Sequence, residues 1–557
     1  MTTSFPPISY PNKPVPPFTA EPPRNQFPGF FPDMWKNITG KPYITVSSKG
    51  LANGQSEYFN DGADFGPDSL QADGSLTQTV GIMEAVDYSL ANGGDMDIKF
   101  IGTTFLIDAP IYKIYDSAQT VHFPNFIGSG LASAGNTSTN VPVTIQCGNS
   151  FPSGEYMLAI LENGNLGVNV TGWKCEGITL NGKSPNGSTL GAGFSTNCML
   201  YSTVQLMVVN TIAPAPVITT VSGLTTSGAV NIVGNGNSGS TFNYWDISVE
   251  SCGMDGIYIA GAAEQSILYP RYVSGFYRYG LYANLAGTTA ILILNPDIEG
   301  SGSNTTSPGG GFPNTSPYML TSAIYTIINP MQFSTDSNTN GPSFACNNAN
   351  VAIFGGLLRA GNNSNLLIDM IGGNVVNIYG TQLNFNSSYG YAIGSSAFGD
   401  GYPIVLQNVY FNDSNTSSTF TYPIDTSELP NIKIENAYQT NTNYILSSFG
   451  SASIAGTKPT LSANPPISGT AYQNTNPFDI RLKIPITYNP TTTAAATLAT
   501  GISSTSTVTT TTKVSIPAGL TAADGQILTY DMVIPAGWYY ELVATNATIG
   551  TAEVETA

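Results

Sequence analysis

Between residues 257 and 293 the sequence passes through Ile257-Tyr258-Ile259, Ile267-Leu268-Tyr269, Leu281-Tyr282-Ala283 and Ile291-Leu292-Ile293. The first and third runs, and the second and fourth, stand 24 residues apart (257 to 281, 267 to 291). Each run is strand-sized and rich in β-branched and aromatic residues, and turn-forming residues fill the gaps. Two strand series locked to one period describe stacked coils, each coil giving one strand to each of two parallel sheets. Ile324-Tyr325-Thr326, Val351-Ala352-Ile353, Val375-Val376-Asn377 and Ile404-Val405-Leu406 extend the second run's series. Phe344-Ala345-Cys346 and Leu366-Leu367-Ile368 extend the other. Coils of this kind repeat at about 4.8 Å, with Ile, Leu and Val in inward ladders. The Gly- and Ser-rich insertion at 300–317 is expected to project as a loop.

The solenoid is expected over residues 43–455. Before it, residues 1–42 contain Pro6-Pro7, Pro16-Pro17, Pro22-Pro23, Pro28 and Pro32, which forbid helix interiors and central strands. An extended arm follows from that. Its interleaved aromatics, Phe5, Phe18, Phe27, Phe30, Phe31 and Trp35, are expected to dock on a partner. A helix is predicted over 77–90, with Val80, Met83, Ala85, Val86 and Leu90 on one stripe and a stop at Asn92-Gly93-Gly94. Residues 465–557 lose the 24-residue period and alternate instead, which predicts a separate β-sandwich able to cap exposed strand edges.

Composition narrows the function. With 17 Lys+Arg against 35 Asp+Glu, no basic face can neutralise a run of phosphates, so nucleic-acid binding is not expected. No apolar run reaches the roughly 18–20 residues of a membrane helix, and the first residues lack the basic and apolar regions of a secretory signal. Membrane insertion is not expected, and any external location would be reached another way, of which assembly into a particle in the cytoplasm and release by lysis is one. No metal-ligand spacing or cofactor motif occurs, so no metal and no cofactor are expected. Cys175 and Cys198 stand 23 residues apart, which would put them on adjacent stacked strands; whether they bond is left open. With charged residues at 9%, few native carboxylates depend on ion pairs, so stability should vary weakly with pH.

Residues 61–108 resemble the entry of the pectate-lyase-like right-handed parallel β-helix family, which includes phage tailspikes. The likeness is carried by Asp61, Asp64 and Asp68, the helix ending in Ala91-Asn92-Gly93-Gly94, and the strand pair from Ile98 to Ile107. Trp173-Lys174-Cys175-Glu176-Gly177-Ile178-Thr179-Leu180-Asn181-Gly182 and Cys252-Gly253-Met254-Asp255-Gly256-Ile257-Tyr258-Ile259 are similar to its coils. The resemblance implies an all-β chain: a right-handed parallel β-helix between the arm and a jelly-roll-like sandwich. As a whole, the arrangement is similar to turret-associated appendages of archaeal icosahedral viruses. That likeness implies a structural protein on the virion's external surface at its vertices, docked on turret or penton proteins. A tailspike-like role, binding or cleaving host-surface glycan, is the alternative.

For cleavage, the carboxylate pairs Asp297 with Glu299 and Asp246 with Glu250 share strand faces, as a general acid and base must. The Gly-His-Gly and Arg-Ile-Lys strings of pectin hydrolases do not occur, and the single histidine, His122, allows no repeated His chemistry. For binding without cleavage, Tyr269, Tyr272, Tyr277 and Tyr279 are the expected sugar platforms. Asn169, Asn186, Asn304, Asn314 and Asn412 head glycosylation sequons.

Overall fold

The computed structural model describes residues 43–48, 63–128, 143–234, 239–300, 316–334, 344–359, 366–385, 391–394, 404–413, 464–519 and 526–556, with gaps of one to three residues inside some stretches, and a few short strands between 424 and 461. The arm, with Phe5, Phe18, Phe27, Phe30, Phe31 and Trp35, lies outside the described residues, as do Asn304 and Asn314. The chain divides into two compact units, residues 1–371 and 372–557.

In the first unit, helix α1 (Ile82–Ala91) starts five residues after the predicted position. Val80 and Gly81 adopt positive φ (55° and 80°) and break the first turn. The Thr77 and Thr79 hydroxyls instead accept the Gly81 and Met83 N–H groups and donate to Glu84. Its C-terminus falls at the expected stop: Gly94 N–H reaches back to Ser89 O at 2.8 Å, with Gly93 and Gly94 left-handed. Tyr88 packs on Phe65, placing the helix over the first coil.

Strands β1 (Tyr156–Glu162), β2 (Lys174–Asn181), β3 (Gly193–Thr196), β4 (Thr203–Thr211), β5 (Gly228–Gly234), β6 (Tyr244–Cys252), β7 (Asp255–Gly261), β8 (Ile267–Ser274) and β9 (Tyr279–Leu285) alternate between two parallel sheets. Odd-numbered strands build sheet one and even-numbered strands sheet two. Sheet two continues with β10 (Ala290–Leu294) and β11 (Asp297–Gly300), which pair with the two ends of β8. Sheet one continues with β12 (Ser316–Thr321). The fold is a right-handed parallel β-helix. Register confirms the period in sheet one, where Ile257 lies opposite Leu281. Sheet two departs from it by one residue. Leu268, not Tyr269, aligns with the inward Ile293, and Ile291 aligns with Tyr325, leaving Ile324 43% exposed on the outer face. A single-residue slip exchanges faces, and a run apolar at every position gives no alternation to prevent it.

Inside the coils an aromatic series runs along the stack. Phe123 meets Trp173 at 6.1 Å, Trp173 stacks on Phe194 at 5.9 Å and 16°, and Phe194 meets Trp245 at 6.3 Å. Both tryptophans are fully buried, and the Trp173 indole N–H donates to Pro124 O at 3.0 Å. All five cysteines are buried, and Cys175 and Cys198 are not bonded to each other. Their 23-residue spacing is not a coil: Cys175 lies opposite Val204 in sheet two, while Cys198 follows β3 and points at Ile160 O.

The outer face of sheet one is covered as well. The segment 212–227 crosses it and places Val221 on Tyr156, Ala159, Leu161 and Ala192, and Leu224 against both that cluster and Tyr258. Glu155, 1% exposed, anchors the segment by accepting the N–H groups of Val217, Ile218 and Thr219 and the Thr219 hydroxyl.

The second unit contains further parallel strands, Val375–Tyr379 beside Ile404–Gln407 beside Ile432–Glu435. It also contains an antiparallel sandwich. There β13 (Ile480–Tyr488), β14 (Ala496–Ser503), β15 (Thr511–Ile516), β16 (Gln526–Ile534) and β17 (Tyr539–Thr545) divide into two sheets, with β14 between β15 and β17 and β13 beside β16. Ile480, Leu482, Ile484, Ile486 and Tyr488 alternate inward from β13.

Burial raises Glu84 and Asp87 of α1 above the ordinary carboxylate range, and burial followed by the Glu299 charge raises Asp297. A raised folded pKa means that the penalty for burying the ionised form is relieved as pH falls towards the ordinary value. Asp73, lowered by Ser75 hydrogen bonds, and Asp531, lowered by Arg481, oppose this only below about pH 4, and both are at the surface. Between pH 7 and about 4.5 the melting temperature should therefore hold or rise; a scanning-calorimetry decrease of more than about 5 °C would contradict this.

Candidate functional site

The outer face of sheet two carries the cluster with most chemistry. Opposite β6, strand β8 carries one extra residue: Asp246 faces Tyr269 and Ile247 faces Pro270, but Ser248 faces Tyr272. Arg271 is the inserted residue of a β-bulge, a device that re-aims side chains. With Pro270 and Val273 buried, Tyr269, Arg271 and Tyr272 are all half-buried at the outer surface within four positions.

Each neighbour is then set by the bulge. Arg271 grips the buried Asp246 in a two-pronged ion pair, Nε to Oδ1 at 2.9 Å and the terminal nitrogen to Oδ2. Gln205 donates to the same carboxylate at 3.3 Å, and the guanidinium lies 5.2 Å from the Tyr269 ring centre. Tyr272 donates its hydroxyl to Glu299 at 3.1 Å. Asp297 and Glu299 flank the buried Ile298, sharing the outer face, and the buried Oδ1 of Asp297 meets no hydrogen-bond partner among the described residues. Ser274 stands in register between Glu250 and Glu299, which puts those two acids two strand spacings apart, about 9.6 Å along the stack.

Among the acids, Asp246 is committed to Arg271. Glu299 is tied to Tyr272, while Glu250 is exposed at the end of β6. The four tyrosines do not form one platform. Tyr269 and Tyr272 are on sheet two, whereas Tyr279 opens β9 in sheet one and packs on Tyr282, beside Arg278. Tyr277 lies in the connection between them.

Two aromatics that sequence reasoning missed sit at the corner leading into sheet two. Tyr201 and Phe242 precede β4 and β6, are 62% and 46% exposed, and stack at 5.2 Å and 20°. Both have positive φ (52° and 57°), a conformation that bulky residues rarely adopt. Tyr244, 36% exposed, follows two residues after Phe242. The only signal in the sequence was an aromatic in each of two turn positions otherwise suited to Asn or Gly. Among the sequons, Asn186 is exposed in a turn with its carbonyl bound to Ser184 and Ser188. Asn169 lies within a paired strand, and Asn412 lies in strand Tyr410–Asp413. No group of acids, His and Cys suited to a metal occurs among the described residues.

Several solved structures of phage proteins align with the chain, each at low identity. The chain aligns with bacteriophage phi29 pre-mature gene product 12 at 14% identity and TM-score 0.35, covering 67% of this chain and 55% of that one. Full-length tailspike protein 2 of an Escherichia coli O157:H7 bacteriophage aligns at 12% identity and 0.32, over 87% and 66%. The Dettilon tailspike protein aligns at 10% and 0.29, over 94% and 100%. The chain thus spans about half to two thirds of the length of the first two. No family model and no curated protein matches. What the wall can do follows from its own residues.

Proposed function

We propose that the chain is an external virion appendage whose sheet-two wall binds host-surface glycan and does not cleave it. The observation carrying this reading is the β8 bulge, which sets Tyr269, Arg271 and Tyr272 side by side on a rigid sheet. Tyrosine faces stack on the apolar faces of sugar rings, and the fixed Arg271, Asp246 and Gln205 offer hydrogen-bonding groups. Tyr244 and the Tyr201–Phe242 pair extend the aromatic surface towards the corner. Against cleavage, Asp246 is held in an ion pair, Glu299 already accepts the Tyr272 hydroxyl, and the exposed Glu250 stands about 9.6 Å from Glu299 along the stack, at the outer limit for two carboxyl groups that share one water. The four acids Asp246, Glu250, Asp297 and Glu299 against one Arg271 favour neutral over acidic sugars. Docking of the proline-rich arm on turret or penton proteins at a vertex is the setting we propose for this wall.

On a glycan array the chain should retain neutral oligosaccharides. Tyr269→Ala and Tyr272→Ala should each weaken retention about tenfold, the equivalent of roughly 1–1.5 kcal/mol for one aromatic contact. Chain length of the bound glycan should stay unchanged on prolonged incubation. Shortening that disappears in Asp297→Asn would instead establish a depolymerase; no retention of any glycan would remove the reading altogether.

A further inference from the structure

We propose that the sandwich joins two copies of this chain edge to edge, through antiparallel pairing of β16 with β16 of a second copy. Among the described residues β16 pairs only with β13, so nine residues of strand present an open edge. Open edges are normally blunted by Lys, Pro or a bulge. The opposite sheet does this: its edge strand β15 carries the exposed Lys513. Strand β16 has no Lys, Arg or Pro. Its one charge, Asp531, is already neutralised by Arg481 of β13, at 2.9 and 3.0 Å from Nε and 2.6 Å from the terminal nitrogen.

The sequence of this edge, Gln526-Ile527-Leu528-Thr529-Tyr530-Asp531-Met532-Val533-Ile534, is self-complementary about Tyr530. A two-fold axis there sets Ile527 opposite Val533 on the outer face and Leu528 opposite Met532 on the inner face. Asp531 then opposes Thr529, so no like charges meet. An axis one residue further on would set Asp531 against itself. Exposure matches this register: Ile527 and Val533 are 63% and 47% exposed, and Leu528, although it faces inward, is still 38% exposed. Pairing would continue each sheet into the other copy and cover these residues, an isologous interface that closes on itself.

Sedimentation velocity on the full chain, from low to high micromolar concentration, should show twice the monomer mass at the upper end. Ile527→Lys, at an exposed position, should leave a monomer. The double variant Ile527→Lys/Val533→Glu puts Lys opposite Glu at both ends of the axis and should restore the dimer. If the lysine variant folds poorly, Ile527→Cys/Val533→Cys tests the same register, because oxidation should link the copies covalently while the five native thiols stay buried. A chain that stays monomeric throughout, or a dimer indifferent to these substitutions, overturns the proposal. Glycan retention by the monomeric variant separates this result from the fate of the sheet-two wall.

Discussion

Replacing Arg278 with methionine is expected to lower the stability of the first unit by about 3–5 kcal/mol, because it strands a carboxylate that has no access to water. Asp255 is fully buried at the start of β7. It accepts Arg278 Nε at 2.7 Å, a terminal guanidinium nitrogen, the Ser227 hydroxyl at 2.6 Å and the Tyr279 N–H at 3.2 Å. Arg278 also donates to Ser227, so one ion pair ties the ends of β5, β7 and β9 on three successive coils. Tyr279 and Tyr282 lie 5.1 and 5.3 Å from the guanidinium and keep solvent out, with Tyr258 against Tyr282 at 5.2 Å. In that setting the pair is held for geometry more than for net stability, since two desolvated ions offset much of their own attraction. The double variant Asp255→Leu/Arg278→Met should accordingly recover most of the single-variant loss. Denaturant titration that follows the first unfolding transition reads both. A single-variant loss under about 1 kcal/mol would mean that water reaches Asp255 after all.

These contacts also show where sequence reading stops. The parallel solenoid, its helix stop and the alternating sandwich were legible because each leaves a period in the residue order. Sheet one kept the expected register at Ile257 and Leu281, where inward Ile257, Ile259, Leu281 and Ala283 alternate with outward Tyr258 and Tyr282, but Phe344 meets Ile368 and not Leu366, a shift of two residues that keeps the same face inward. Sheet two slipped at Ile291-Leu292-Ile293 and Ile324-Tyr325-Thr326, where every position is apolar or amphipathic and either face could turn inward. Of the site, the shared face of Asp297 and Glu299 followed from their spacing alone. The commitment of Asp246 to Arg271 did not, because it depends on a bulge that only the pairing of β6 with β8 creates. The sorting of the tyrosines between sheets was legible, because Tyr269 closes the Ile267 run of one series and Tyr279 stands two residues before Leu281 of the other. The Cys175–Cys198 spacing misled because coil length varies: Cys175 meets Val204, 29 residues on, not 23.

Least legible was the segment 212–227, whose Ala213-Pro214-Ala215-Pro216 reads as an ordinary loop while its anchor, Glu155, lies 62 residues before Val217. Glu155→Ala is expected to release this segment and lower stability by about 3–4 kcal/mol. Hydrogen bonds to a charged group contribute about 1.5–3 kcal/mol each and are not additive, and the Val217, Ile218 and Thr219 N–H groups regain water once the segment lifts. The loss would be larger if the segment stayed down and those donors remained unpaired, so lifting is the lower-energy response. It has a local signature. Amide hydrogens of 213–224 should exchange much faster, and Tyr156, Ala159 and Leu161 should lose the cover of Val221 and Leu224. Glu155→Gln keeps one acceptor oxygen and should fall between wild type and the alanine variant. The wall on sheet two lies on the other sheet of the coil, so glycan retention should survive in both variants. Unchanged exchange over 213–224 in the alanine variant would show that apolar packing of Val221 and Leu224, and not the buried carboxylate, holds the segment in place.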